Sequence, residues 1–279
     1  MAHNHKTEAD AILDQQFDVL DHGFIRLVDY LGNDERIVQA ARVSYGAGTK
    51  TVRMDKALID YLLRHDHTSP FEQVVFTFHL KMPIFVARQW VRHRTARMNE
   101  ISGRYSVMSE EFYIPADANI HLQNQENRQG RDETRPASPE VREAIREQMT
   151  AHNKTVYANY QEMLSHDISR ELARINLPLS LYTEFYWQID LHNLFRFLRL
   201  RLDQHAQLEI REYAKVMARI VKTVTPWAYE SFERHILKGC RLSSDEIKAV
   251  KNLLAGRETG LSGMAEAEFR AKLRLNDTE

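Results

Sequence analysis

The sequence contains a single cysteine, Cys240, in 279 residues, which excludes an internal disulfide framework and a cysteine-rich metal site. It also lacks any apolar run near the roughly 20 residues that a membrane helix needs, and residues 1–10 are too polar for a signal peptide. Neither charge sign is in excess, since 38 basic residues stand against 39 acidic ones. We therefore expect a cytoplasmic globular protein with no membrane partner and no nucleic-acid partner.

Apolar periodicity divides most of the chain into helices and strands. Helices are predicted over residues 34–44 with Asp34 as the N-cap, and over 55–64, 84–95, 141–164, 168–175, 191–223 with a break near Asp203, and 226–237. Alternating apolar residues at 74–81 and an aromatic-rich run at 181–189 predict strands. Residues 99–103 are interpreted as a connection, and 105–114 as short extended pieces.

Two segments are too polar to contribute to a core. Residues 116–140 consist mostly of Asn, Gln, Asp, Glu, Arg and Pro, and we interpret them as a mobile surface insertion. The sequence after Cys240 is charged and only weakly amphipathic. We therefore expect one domain over residues 1–240 and a helical, charged C-terminal extension over residues 241–279.

A dense group of cations lies near the end of the helix predicted over residues 84–95: Arg92, His93, Arg94, Arg97 and Arg104. Neighbouring like charges destabilise a helix, so basic clusters are most often solvated faces with acidic partners elsewhere. Here the apolar residues before the cluster indicate packed surroundings. The triplet Ser102-Gly103-Arg104 offers a hydroxyl, a permissive backbone and a forked donor, which suits an anionic phosphate.

The spacing Arg92-His93-Arg94, seven residues, Ser102 resembles the signature of the flavin-dependent thymidylate synthases. The run RHRTARMNEISGRYS is similar to the family's central segment, except that Arg97 stands where a small residue is expected. Further similar segments are GNDERIVQAARVSY, HDHTSPFEQVVFTFHLKMPIFVARQWVRHR, EFYIP, ELARINLPLSLYTEFYWQIDLHNLFRFLRLR and DQHAQLEIREYA. The resemblance therefore extends from about Leu20 to Leu237.

The resemblance implies an α+β subunit with a single mixed helix and sheet domain, assembled as a homotetramer with active sites shared between subunits. It implies reductive methylation of dUMP to dTMP with FAD as the carrier of hydride and methylene. Methylenetetrahydrofolate is the implied carbon donor, and NAD(P)H, NADPH in particular, is the implied reductant. No catalytic metal is expected.

Carried over position by position, the resemblance implies two sets of binding residues. The dUMP set is Gln89, Arg92, Glu100, Ser102, Gly103, Arg104, Arg174 and Arg201. The FAD set is His67, Ser69, Glu72, Arg92, His93, Arg94, Asn99, Glu100, Asp190, His192 and Arg196. Of these residues, Arg201 and Ser102 are expected to take part in catalysis.

These assignments agree with the chemistry that the residues allow. Uracil C5 is a poor nucleophile, and one remedy is addition of a protein thiolate at C6. The only thiol is Cys240, far in the sequence from every site segment, so we expect it to be idle. A fixed guanidinium such as Arg201 can instead stabilise negative charge on the uracil carbonyls, by about 3 kcal/mol for a well-aimed donor.

Other interpretations stay open at this point. His65 and His67 without a third ligand form a weak metal site, and Ser102 lacks the surroundings of a nucleophilic elbow. Glu209 and Arg211 are predicted to lie on a solvated face. The nearest rival functions are a flavin-dependent methyltransferase or reductase acting on another nucleotide or on RNA uracil, and a nucleotide- or RNA-binding module without catalysis.

Overall fold

The structure, a computed structural model, describes residues 5–43, 52–125 and 130–273. The strands are β1 Gln16–Val19, β2 Gly23–Leu31, β3 Val75–Pro83, β4 Arg97–Glu100, β5 His121–Gln123, β6 Arg131–Pro136 and β7 Tyr182–Asp190. The helices are α1 Thr7–Asp10, α2 Asp34–Ala41, α3 Val52–Arg64, α4 Ile84–Trp90, α5 Pro139–Ser165, α6 Arg170–Ala173, α7 Leu191–Arg201, α8 Leu208–Val224, α9 Pro226–Phe232, α10 Ser244–Leu254 and α11 Gly263–Lys272. Short 3₁₀ turns lie at Phe71–Gln73, Asp117–Asn119 and Arg174–Asn176, and a π turn at Glu233–Leu237.

The core is one face of an antiparallel sheet with the strand order β1-β2-β3-β7-β4. Alternate residues of β3, among them Phe76 and Phe78, are fully buried, as the period of two predicts. Trp90 of α4 lies against this face with its ring centroid 5.3 Å from Trp187 of β7 and 4.4 Å from Phe197 of α7. Burial of such a side chain stabilises the fold by roughly 3 to 5 kcal/mol relative to alanine. The two predicted core strands and the α+β fold are thereby confirmed.

The helical run predicted over residues 191–223 is broken where expected. Helix α7 ends at Arg201 and α8 begins at Leu208. Between them, Asp203 Oδ1 accepts hydrogen bonds from the backbone N–H and from Nδ1 of His205, both at 2.8 Å. Such local side-chain bonds compete with helical hydrogen bonding, which explains the break immediately after Arg201.

The predicted N-cap of α2 is wrong by one residue. Asn33 is the cap, and its side chain accepts from the N–H of Glu35 at 2.9 Å. Asp34 is buried and instead accepts from the N–H groups of Trp227 and Ala228 at the start of α9, each at 3.0 Å. Burial raises the pKa of the Asp34 carboxyl to about 6. Its partners lie nearly two hundred positions away in sequence, so local capping rules could not find them.

The segment around the cation cluster also differs from its prediction. Helix α4 ends at Trp90 rather than near Thr95, so Arg92, His93 and Arg94 follow the helix instead of sharing its last turn. Asn99 belongs to β4 rather than to a connection. This edge strand pairs with β7 and leaves all four of its residues exposed, so no alternating apolar pattern marks it.

The segment predicted as an insertion contains a hairpin. Strands β5 and β6 pair antiparallel, and Ile120 and Ala137 beside them are buried. The expectation that this segment adds nothing to the core is therefore wrong for these two residues, because the hairpin is attached through its ends. Its mobility stays a prediction.

The chain forms two compact units, with the boundary between Tyr229 and Glu230. In the second unit, Ser243 and Glu246 form a reciprocal capping box at the start of α10. Ala249 and Phe269 are fully buried there, so the charged extension has a small apolar centre. Among the described helices, none combines the length and apolar character that crossing a bilayer requires.

Candidate active site

Arg201, the last residue of α7, is held by two neutral partners. Its Nε donates to Nε2 of His93 at 3.1 Å, and its Nη2 donates to the backbone carbonyl of Gln89 at 3.2 Å. A guanidinium carries five N–H groups, and these contacts use two of them. The remaining N–H groups of this partly buried side chain are available to a ligand.

His93 serves Arg201 as a neutral acceptor. Burial, together with the charges of Arg201 and Arg196, lowers the pKa of the His93 imidazole to about 4. The ring is therefore uncharged at neutral pH, and because Nε2 accepts from Arg201, its proton lies on Nδ1. Phe197 packs edge-on against this ring with centroids 4.8 Å apart, which fixes its orientation.

Gln89 connects Arg201 to the start of α8. It lies in the last turn of α4, and its side-chain amide donates to Oε1 of Gln207, the residue before α8. Gln207 falls inside the helical run predicted over residues 191–223, and the structure makes it the partner of Gln89. Gln207 lies before the helix rather than on it.

The triplet predicted to bind phosphate forms a tight turn after β4. The N–H groups of Tyr105 and Ser106 both donate to the carbonyl of Ser102 at 3.0 Å, and the N–H of Arg104 donates to the Ser102 hydroxyl at 3.3 Å. Gly103 is buried within this turn. Ser102 therefore shapes the turn through both its carbonyl and its side chain.

Glycine at position 103 leaves room for two side chains that pack closely on the turn. A Cβ atom there would lie 2.9 Å from Sδ of Met108 and 3.0 Å from Cδ of Arg174. Any larger residue would displace Arg174, which the sequence places in the same binding set. The close approach thus brings Gly103 and Arg174 together, as predicted for one binding site.

Arg104, in the same turn, pairs with Glu171. Its Nη2 lies 2.9 Å from Oε2 of Glu171, and both side chains are more than half exposed, at 58% and 57%. An exposed pair of this kind contributes only about 0 to 1 kcal/mol. Arg104 can therefore exchange Glu171 for an anionic ligand at little cost.

The residues of β4 have partners on β7. Glu100 accepts from the hydroxyl of Thr183 at 2.6 Å, and Asn99 is exposed on the strand. Arg97 donates from Nη1 to Oε1 of Gln188 at 3.2 Å. Arg97, which stands where the resemblance expects a small residue, therefore has a hydrogen-bond partner on the neighbouring strand.

Five of the eleven predicted FAD residues lie near the start of α7. His67, Ser69 and Glu72 are exposed around the loop after α3, where Phe71 packs on Phe195 of α7 with ring centroids 6.5 Å apart. Asp190 caps α7 by accepting from the N–H of Asn193 at 2.9 Å, a structural role that sequence reasoning missed. Two more predicted FAD residues lie on α7: His192, which is partly buried, and Arg196, which is exposed.

The predicted residues therefore form three groups. The first is Gln89, His93, Arg196 and Arg201; the second is Ser102, Gly103, Arg104 and Arg174; the third is His67, Ser69, Glu72, Asp190 and His192. Within the described part of the chain, no hydrogen bond or ion pair joins one group to another. Arg92 and Arg94, on either side of His93 in the sequence, are exposed.

Sequence reasoning missed one residue beside the site altogether. Glu209, predicted on a solvated face, is 3% exposed and accepts from the Tyr113 hydroxyl at 3.0 Å and from Nη2 of Arg131 at 2.6 Å. The prediction failed because a charged residue on a helix usually faces solvent, whereas the partners of Glu209 come from distant segments of the chain. Its neighbour Arg211 pairs with Glu133.

Comparison with known proteins assigns the family. Residues 26–227 match the family described as thymidylate synthase complementing protein. The flavin-dependent thymidylate synthase of Treponema denticola is 61% identical over 94% of this chain and 98% of its own. That of Thermus thermophilus is 54% identical over 92% of this chain and 93% of its own.

A solved structure agrees with the sequence comparisons. The UMP/dUMP methylase PolB from Streptomyces cacaoi, bound with 5-Br dUMP, superposes with a TM-score of 0.72 at 29% identity, covering 79% of this chain and 99% of that one. The resemblance read from the spacing of Arg92 and Ser102 is thus confirmed. The chain belongs to the thymidylate synthase complementing protein family, the family of the flavin-dependent thymidylate synthases.

Proposed function

We propose that this protein makes dTMP from dUMP, methylenetetrahydrofolate, NAD(P)H and a proton, and releases tetrahydrofolate and NAD(P)⁺. Carbon C5 of the uracil ring gains a methyl group, and the nicotinamide supplies the reducing equivalents. FAD, when bound, carries the hydride and the one-carbon unit between these substrates. The protein's own part is to position the reactants and stabilise developing charge.

Arg201 supports the proposal most directly. Its contacts to the Gln89 carbonyl and to neutral His93 fix the guanidinium without neutralising it. A preorganised cation in a partly buried position stabilises negative charge on a uracil carbonyl, which activates C5 without a thiolate. Cys240, the only cysteine, is exposed in the second unit, so no thiolate step is proposed.

The nucleotide phosphate fits the turn at residues 102–104. Because position 103 is glycine, the backbone of this turn lies close to the Arg174 side chain. Arg104 and Arg174 supply forked guanidinium donors for the phosphate. We place Ser102 here as well, with its hydroxyl close to the nucleotide, and keep it as a candidate catalytic residue. Arg92 and Glu100 complete the proposed dUMP set.

The donor set also fits FAD. Arg92, Arg94 and Arg196 are exposed cations suited to a pyrophosphate, and the exposed Asn99 offers amide donors. We propose that these residues, together with His67, Ser69, Glu72, His93, Glu100, Asp190 and His192, bind the flavin. His93 would act there as a neutral group, because burial and two arginines keep its pKa low.

A homotetramer with shared active sites would unite the three groups. Exposed apolar side chains beside the turn at residues 102–104 support contact between copies, since Tyr105 is 80% exposed and Ile175 67%. We therefore propose that one subunit completes the site of another. The cytoplasmic location and the preference for NADPH stay predictions.

A flavin spectrum of the purified protein tests the proposal. The protein should be yellow, its flavin absorbance should bleach anaerobically with NADPH, and the colour should return on addition of dUMP with methylenetetrahydrofolate. Chromatography should then detect dTMP. A colourless protein, or one that never forms dTMP, would contradict the proposal and favour a nucleotide-binding module without catalysis.

The same assay with UMP in place of dUMP distinguishes the nearest alternative. The similar solved structure is described as a UMP/dUMP methylase, so a ribonucleotide is the alternative substrate to test on this fold. We expect dTMP from dUMP and no methylated product from UMP. Equal turnover of both would replace the proposal by a methylase of broader substrate range.

A further inference from the structure

A buried ion pair ties the hairpin of β5 and β6 to the first turn of α8. Nη2 of Arg131, the first residue of β6, lies 2.6 Å from Oε1 of Glu209, and the two side chains are 21% and 4% exposed. Nη1 of the same guanidinium donates to the carbonyl of Asn119 at 2.7 Å. Arg131 therefore connects the start of α8 to β6 and to the turn before β5.

Glu209 is ionised in this buried position. Burial opposes ionisation, but the hydrogen bond and the charge of Arg131 outweigh it, so the pKa of the Glu209 carboxyl lies below its usual range. Tyr113 adds a hydroxyl donor at 3.0 Å to the same oxygen. Removal of Arg131 alone would leave a buried charge without its partner, which proteins tolerate poorly.

A second contact joins the hairpin to the loop that follows Arg201. Arg211, one turn into α8, pairs through Nη2 with Glu133 of β6 and donates from Nη1 to the carbonyl of Gln204 at 2.6 Å. The hairpin thus contacts α8 at Glu209 and Arg211, and Arg211 in turn contacts the loop before the helix. The position of Gln207, between these two contacts, depends on both.

Gln89 connects Gln207 to Arg201, the arginine proposed to activate the uracil. Its side-chain oxygen accepts from the amide of Gln89, and the carbonyl of Gln89 accepts from Arg201 at 3.2 Å. A shift at the start of α8 would therefore move Gln89 and, through it, Arg201. Misplacement of a reactive group by about 1 Å can cost roughly a hundredfold in rate.

We propose that Glu209 and Arg131 are positioning residues for the nucleotide site: by fixing the first turn of α8, they let Gln207 hold Gln89 and Arg201 in place. The inference rests on the proposed function, because it assigns these residues a role in dUMP use. Neither residue contacts the nucleotide. The segment predicted as a loose insertion thus becomes part of the support of the active site.

The variant Arg131→Met tests the role against a matched control. Arg146→Met removes an arginine that pairs with Asp117 of the same hairpin segment, but on α5 and outside the connection to Gln89. We expect Arg131→Met to raise the KM for dUMP by about tenfold, because displaced Gln89 and Arg201 side chains would hold the nucleotide less tightly, and to leave the KM for NADPH unchanged. Arg146→Met should keep both constants within about twofold of the unchanged protein.

The double variant Arg131→Met with Glu209→Gln separates positioning from simple damage. It removes the unpaired buried charge, so it should bind dUMP more tightly than Arg131→Met alone, as measured by calorimetry. If Arg131→Met does not fold, Arg131→Lys replaces it, and we expect a smaller rise in the same KM.

Each outcome has one meaning. If the unchanged protein makes dTMP while Arg131→Met and Arg146→Met have the same KM for dUMP, the positioning role is wrong. Equal loss of dUMP and NADPH affinity in Arg131→Met would also overturn it, because that result indicates general destabilisation. Failure of the unchanged protein to make dTMP would instead overturn the proposed function, and the positioning role with it.

Discussion

Replacement of Arg201 by alanine tests whether its guanidinium activates the pyrimidine ring. The change removes the hydrogen bonds to His93 and Gln89 and every N–H group available to the uracil. Loss of one preorganised donor at a site of developing charge typically lowers the rate by about 10² to 10³, or roughly 2.7 to 4 kcal/mol. We expect kcat for dTMP formation to fall by about this factor.

The assay is dTMP formation in a single turnover, with saturating substrates and reduced protein, quantified by chromatography. Arg199→Ala is the matched control, since Arg199 is an exposed arginine of the same helix turn. It should leave the rate within about threefold of the unchanged protein, as surface substitutions usually do. Thermal melting by circular dichroism checks that both variants are folded. If Arg201→Ala retained a rate similar to that of Arg199→Ala, the proposed activation would be wrong.

His93 reports on the same change without turnover. Its pKa of about 4 results from burial first and from the charges of Arg201 and Arg196 second. Arg201→Ala should therefore raise the pKa part of the way toward 6.5, because burial remains. Ring signals in NMR between about pH 8 and pH 4 measure it. Since the folded-state pKa is lowered, the stability that His93 contributes is present above pH 6.5 and is lost as the pH falls toward 4. Titration of His93 near 6.5 in the unchanged protein would contradict this description of the site.

Three further predictions concern other parts of the chain. Arg104→Ala should weaken dUMP binding by about 2 to 4 kcal/mol in calorimetry, whereas Glu171→Gln should strengthen it by up to about 1 kcal/mol by releasing Arg104; unchanged affinity in both would remove Arg104 from the site. Cys240→Ala should leave turnover nearly intact, and loss of activity in a folded variant would refute the thiol-free mechanism. Asp34→Ala should lower the free energy of unfolding by about 1 to 3 kcal/mol in urea titration, because two backbone N–H groups lose their acceptor; an unchanged midpoint would show that this cap contributes nothing.

Elements with strong periodicity could be predicted from the sequence, and weakly patterned ones could not. The strand predicted at residues 181–189 is confirmed, because burial of one face imposes a period on its side chains. The break near Asp203 is confirmed as well, because the Asp203 side chain bonds locally to His205. Strand β4 escaped prediction because an exposed edge strand needs no apolar alternation. The end of α4 at Trp90 escaped because residues 91–95 contain no proline or glycine to mark the end of a helix.

The candidate site likewise contains some residues that the sequence indicates and others that it does not. Arg201 and the turn at residues 102–104 could be proposed as site residues because their residue types and spacing resemble a known family. Gln207 and Glu209 could not be assigned roles, since the partner of Glu209 is 78 positions away in sequence and that of Gln207 is 118. Only the fold shows that these residues carry a connection from the hairpin to Arg201.

The arginines of this chain differ in what neutralises them, and that difference supports the role proposed for Arg201. Arg131 and Arg104 each face a carboxylate, so the net field beyond the pair is small. Arg201 faces a backbone carbonyl and an imidazole that burial and charge keep neutral, so its full charge remains. It is also partly buried, where screening by water is weaker and the field of a charge extends further. A uracil placed against it would meet an uncompensated cation, which is the physical condition for activating the ring without a thiolate.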